Sequence, residues 1–119
     1  MILADTSVWI FHLRNNHSRF AALLEETQVA VHPFVLAELA CGHLKNRSEI
    51  LFFLQSLPST AVATQEEFLE YIEHRSLAGF GIGFVDVHLL MSAQLMGIKL
   101  WTLDERLKRA AVKLHLSYE

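Results

Sequence analysis

A short apolar run, Met1-Ile2-Leu3-Ala4, leads straight into Asp5, Thr6 and Ser7, and no other stretch narrows so far what this chain can fold into. Beyond it the apolar period lengthens through Val8, Trp9, Phe11 and Leu13. The change from a continuous run to helical spacing predicts a short buried strand that delivers Asp5 to its C-terminal end, where a helix begins. In open α/β sheets that edge is where ligands and chemistry collect.

The rest of the chain repeats the alternation. Further strands are expected at 29–32, 60–63 and 98–101, with a fifth at 115–118. Between them, Ser18 is placed to cap a helix through Phe20, Leu23 and Leu24, and Pro33 to open another, since its missing N–H has no partner in a first turn anyway. A helix over 48–57 stops at Pro58. An exposed helix over 65–74 turns Phe68, Leu69 and Ile72 inward. A strongly apolar one over 84–96 ends at Gly97, and the last covers 102–113. Such alternation gives a three-layer α/β sandwich with a central four- or five-stranded parallel sheet flanked by helices. The 119 residues suit a single domain, 1–119, without repeat or linker.

With 52% apolar or aromatic residues and 19% charged, the chain is well able to build a core and is short of polar cover, so a partner or a dimer is expected. No apolar run is long enough to cross a bilayer, and no basic stretch precedes the first apolar residues as it would in a signal peptide. The single cysteine, Cys41, sits among apolar residues and has no internal disulfide partner, which suits a reduced, cytoplasmic setting. The net charge of −3 argues mildly against nucleic acid. Thirteen acids less the four discussed next leaves nine, against ten Lys and Arg, so the background is almost neutral.

Each of those four acids has an ordinary reading. Asp5 could cap its helix, Asp86 lies in a first turn where the macrodipole favours an anion, and Thr102-Leu103-Asp104-Glu105 matches a capping box that would leave Asp104 a spectator. Glu38 is different, because it stands mid-helix among Leu36, Ala37, Leu39 and Ala40 with no Lys or Arg three or four residues away. It needs an exposed position or a cation. Taken together the four point further. In a parallel sheet Asp5 and Asp104 follow strands that point the same way, and the helices carrying Glu38 and Asp86 start at that same edge. Two carboxylates about 4 Å apart repel by roughly 4 kcal/mol at an effective dielectric near 20. Four together call for a divalent cation, and an all-oxygen set favours Mg²⁺ or Mn²⁺. The seven histidines lack zinc spacing, and Gly79 to Gly83 lacks the strand that a dinucleotide loop requires.

The order Asp5, Glu38, Asp86, Asp104 resembles the PIN-domain nucleases, and most of all the VapC-type toxins of bacterial toxin–antitoxin pairs. The matching segments are Leu3-Ala4-Asp5-Thr6-Ser7, Leu36-Ala37-Glu38-Leu39, Gly83-Phe84-Val85-Asp86-Val87-His88 and Leu100-Trp101-Thr102-Leu103-Asp104. The resemblance implies that the four acids hold Mg²⁺ or Mn²⁺, that Ser7 and Thr102 support them through their hydroxyls, and that RNA phosphodiesters are hydrolysed. It also implies a homodimer and a cognate antitoxin whose tail lies across the groove. Arg106 stands within a turn of Asp104, where it could touch a substrate phosphate, whereas Lys108, Arg109 and Lys113 suit a solvated helix face.

The rival reading is a non-catalytic, metal-binding signalling module of receiver-like α/β architecture. It lacks support in this chain, which has a lone acid after the first strand and Asp104 where that fold would place a Lys. Trp9, Phe11, Phe52, Phe53 and Tyr71 are the aromatic candidates for an interface.

Overall fold

A computed structural model describes residues 1–119. Its sheet has three strands in the order β2-β1-β3, with β1 Ile2–Ala4, β2 Val29–Ala30 and β3 Lys99–Trp101. All pairing is parallel, and the register sets Leu3 beside both Ala30 and Leu100. Every residue of β1 is buried, as a central parallel strand with both faces covered must be. Seven helices complete the chain: α1 Thr6–Asn15, α2 Ser18–Glu25, α3 Pro33–Cys41, α4 Arg47–Ser56, α5 Gln65–Arg75, α6 Phe84–Met96 and α7 Glu105–Lys113.

The expected fourth and fifth strands are reduced to single parallel bridges, Val31 with Ser59 on one edge and Leu100 with Ser117 on the other. Residues 60–63 therefore form no ladder. The Thr60 N–H bonds to the Val31 carbonyl, and the segment then leaves the sheet, where the Ser92 hydroxyl takes up the carbonyl of Ala61. The 115–118 segment joins the sheet only by two backbone bonds to Leu100, while the His115 and Leu116 N–H groups turn back to carbonyls of α7. The sheet is thus the expected one with its two outer strands pared down.

Several local expectations are corrected by the caps. His17, not Ser18, caps α2, its Nδ1 accepting from the Phe20 N–H. Asp104, not Thr102, caps α7 and accepts from the N–H groups of Arg106 and Leu107, so that helix begins three residues later than its sequence suggests. In α5, Leu69 is 54% exposed, and Tyr71 takes its place against the core. Cys41 is exposed at the end of α3 rather than enclosed. Trp9 is buried, with its ring edge-on to Phe20 at 4.8 Å, and so cannot serve an interface.

The core runs unbroken from Leu3, Ala30 and Leu100 of the sheet to Val35, Leu90 and Leu107 of the helices. Its continuity fixes the upper ends of β1 and β3 against each other. The Asp5 N–H bonds to the Trp101 carbonyl at 3.1 Å, which brings the first and last parts of the chain together at the sheet's C-terminal edge.

Candidate active site

Asp5 is 5% exposed, and each of its side-chain hydrogen-bond partners is a donor. Its Oδ1 accepts from the Ser7 hydroxyl at 2.5 Å and the Val8 N–H at 3.1 Å, and its Oδ2 from the Thr102 hydroxyl at 2.5 Å. A carboxylate has about four acceptor sites, so one is left over. Burial raises the Asp5 pKa above the ordinary carboxylate value, and the bonds from Ser7, Thr102 and Val8 pull it back.

The two hydroxyls also reach onward. Ser7 accepts from the Leu103 N–H at 3.0 Å, and Thr102 from the Asp104 N–H at 3.0 Å. Thr102 thus works as a bridge between two acids, which excludes its role as helix cap. Asp104 is exposed, and its capping bonds occupy Oδ1 alone, leaving Oδ2 open.

Asp86 lies in the first turn of α6, where its Oδ2 accepts from the Gly83 N–H. Burial raises its pKa, the Gly83 bond opposes that, and the negative charges of Asp104, Asp5 and Glu38 raise it further. The three other acids are therefore close enough for their fields to be felt at Asp86. Glu38 resolves its problem by exposure: it lies on the open side of α3, with Oε1 accepting from the Thr6 hydroxyl at 2.6 Å. Thr6 had no role assigned from the sequence, although a hydroxyl directly after Asp5 at the head of a helix was the available signal.

No three of these acids close around a common point as a finished cation cage. The donor set nonetheless suits a hard divalent ion, being all oxygen with open acceptor sites on each carboxylate. Arg106 is exposed, and its side chain lies over Gly81, whose positive φ of 75° shapes the loop before α6. Behind Asp86, His88 is buried among Phe34, Phe68 and Phe84 with ring centroids 4.6 to 4.9 Å away. Burial, and then the charge of His88, pushes the pKa of His32 down to about 4. Burial lowers that of His88 as well, so both rings are uncharged at neutral pH.

This geometry coincides with a match to the PIN domain family across residues 2–113. The chain belongs to the PIN-domain family. Its relatives include ribonuclease VapC32 of Mycobacterium tuberculosis, found in two strains, with 45% identity over 114 residues covering 95% of this chain and 92% of the relative. Among solved structures, PAE2754 from Pyrobaculum aerophilum superposes with a TM-score of 0.66 at 16% identity, covering 97% of this chain and 93% of that one. That likeness is one of fold alone, and with the family match it gives the PIN fold, an α/β sandwich around a parallel sheet. No helix is long and apolar enough to cross a membrane.

Proposed function

We propose that this chain is a VapC-type toxin, a single-domain endoribonuclease that hydrolyses RNA phosphodiester bonds with Mg²⁺ or Mn²⁺ and is silenced in the cytoplasm by a cognate antitoxin. The observation that carries the reading is the gathering of the acids at the C-terminal edge of the sheet: Thr102 joins Asp5 to the Asp104 backbone, Thr6 beside Asp5 holds Glu38, and Asp86 stands in the first turn of α6. The 45% identity to a ribonuclease over nearly the full chain supports it independently.

Asp5 and Asp86 would be the principal ligands, with Asp104 and Glu38 completing the set. A bound divalent ion would supply charge neutralisation at the phosphate and a water of lowered pKa. The chain's own contribution is orientation. Ser7, Thr102 and the Val8 N–H hold Asp5 in a single pose, the Gly83 N–H holds Asp86, and Thr6 holds Glu38. The exposed carboxylates Glu38 and Asp104 flank the buried one on the solvent side, where a base or an outer ligand is needed. Arg106, on the rim, would meet a substrate phosphate.

A homodimer fits the exposed apolar side chains Phe52, Phe53, Leu69 and Leu95, which nothing in one copy covers. The deciding experiment is cleavage of end-labelled cellular RNA by purified protein in Mg²⁺ or Mn²⁺, repeated in EDTA and with Asp5→Asn and Asp86→Asn. Discrete cuts that vanish in all three controls are expected. Cutting that persists in the variants would overturn the assignment.

A further inference from the structure

The last helix, α7, meets the loop before α6 through two cations. Arg106 and Lys113 stand seven residues apart, about 10 Å along the axis, and so share one face of the helix. Lys113 pins the loop at its start, where its Nζ donates to the carbonyls of Arg75 and Ser76 at 3.1 and 3.3 Å and lies 5.0 Å from the centre of the Phe80 ring. Phe80 and Ile82 turn inward and pack against the core. Gly81, between them, is exposed and faces the Arg106 side chain.

That contact needs a glycine. A Cβ on Gly81 would stand 3.2 Å from Arg106 Cδ, 3.6 Å from Nη1 and 3.7 Å from Nε, and the first of these is closer than carbon atoms ordinarily pack. The arginine would have to give way at its middle, which swings the guanidinium beyond it. As built, the Arg106 backbone N–H is held by Asp104 at 2.9 Å, and its side chain crosses Gly81, two residues before the Gly83 N–H that bonds to Asp86. The side chain thus runs from one acid to the loop that supports another.

We infer that Gly81 is a positioning residue for Arg106: its bare backbone seats the arginine stem, so that the exposed guanidinium is presented to a substrate phosphate between Asp104 and the loop that holds Asp86. This rests on the ribonuclease reading and adds to it a residue outside the four-acid pattern. An arginine held along its stem keeps its planar fork aimed, and loses less freedom when the fork closes on a phosphate. The loop can act as a seat because it is itself fixed, by Lys113 at its start and by Phe80 and Ile82 on either side of Gly81.

The test compares Gly81→Ala with Gly79→Ala, neither of which removes a charge. Gly79 has a φ of 89° and Gly81 one of 75°, so alanine is strained at both, but a Cβ at Gly79 meets nothing within 4 Å. Binding of a labelled single-stranded RNA is read by fluorescence anisotropy across a salt series, on the full chain carrying Asp86→Asn so that nothing is cut. Gly81→Ala and Arg106→Ala should each weaken binding about tenfold at low salt and flatten the slope of log affinity against log salt by up to about 0.7, the share of one phosphate contact on a single strand. The double variant should bind no worse than Arg106→Ala, and Gly79→Ala should leave affinity and slope within error. Equal losses from the two glycine variants would overturn the proposal, as would losses that add in the double variant. The seat is also read without RNA, by NMR of the isotope-labelled chain: the Arg106 Nε–H signal, assigned by its loss in Arg106→Ala, should move in Gly81→Ala and hold its place in Gly79→Ala. An unmoved signal in Gly81→Ala refutes the seat whether or not RNA is cut. A moved signal in a protein that neither binds nor cuts RNA counts against the ribonuclease reading and leaves the seat standing. Should Gly81→Ala fail to fold, adding Arg106→Ala must restore the fold if Arg106 is what the new methyl group meets, and no restoration would sink the idea.

Discussion

Thr102→Val tests whether the site is built around a charged Asp5. Valine keeps the shape of threonine, so no cavity opens, and the change removes one donor to a carboxylate in a buried setting. A hydrogen bond to a charged group contributes about 1.5–3 kcal/mol. The Asp104 N–H that also loses its acceptor lies at the solvent edge, where water replaces it. The net loss at pH 7 should be about 2 kcal/mol, or about 8 °C in Tm for a chain of this size. The hydroxyl favours the ionised form, so the wild-type advantage is present above the Asp5 pKa and shrinks as the pH falls through it. Below that point the bond joins neutral groups, and the loss should drop to about 1 kcal/mol. Urea denaturation at pH 7 and at pH 3, below the ordinary carboxylate value of 3.8 that burial raises, measures both values, and Thr102→Ser should restore most of the stability. An equal loss at both pH values, or no rescue by serine, would refute the claim that the hydroxyl serves a carboxylate anion.

Asp86→Asn should abolish cleavage yet stabilise the metal-free fold at neutral pH. The folded-state pKa of Asp86 is raised, so its favourable contribution is complete below the unfolded value of 3.8 and is lost as pH rises through the folded one. Urea midpoints for variant and wild type should therefore converge in acid, and no gain at pH 7 would count against the crowding of the acids. Saturating Mn²⁺ should raise the wild-type Tm, by the equivalent of about 2.7 kcal/mol at a hundred times Kd, and leave Asp86→Asn nearly unmoved in the same calorimetric scan. Thr6→Val should change stability by less than about 0.5 kcal/mol, since its bond is exposed, while weakening Mn²⁺ binding by about tenfold or more, as loss of an orienting partner does; isothermal titration distinguishes the two. For His32, whose pKa is pushed down to about 4, the unfolded chain takes up a proton from about pH 6.5 downward that the folded chain refuses, so stability should fall between those values. His32→Asn keeps a helix-capping side chain at α3 and should flatten that decline in the urea series.

The candidate site is legible in the sequence to the extent that its acids sit at positions dictated by topology. An acid directly after a buried strand, or in the first turns of the next helix, reaches the C-terminal edge whatever the details of packing. Strand ends were harder. Residues 60–63 and 115–118 are apolar enough for strands, but whether an outer segment pairs over four residues or one depends on the tertiary surface it meets, and here Ser92 of α6 captures the Ala61 carbonyl. Thr102 misled in a similar way. Its local pattern is that of a cap, yet a buried carboxylate 97 residues away makes a stronger claim on its hydroxyl. Glu38 was recognised as anomalous by its neighbours, while the face of α3 that it occupies was set by contact with α1, which no local pattern encodes.

The bond between Thr102 and Asp5 joins positions 97 apart in the chain, and β1, the first strand made, is the middle of the sheet. A ribosome producing this protein releases Asp5 first and the segment that orients it nearly last. Until about residue 104 has emerged, the growing polypeptide has neither the neighbouring strand β3 nor the fourth acid, and the nuclease is unassembled. The order of synthesis thus keeps the edge that holds the acids incomplete for most of the time it takes to make each molecule.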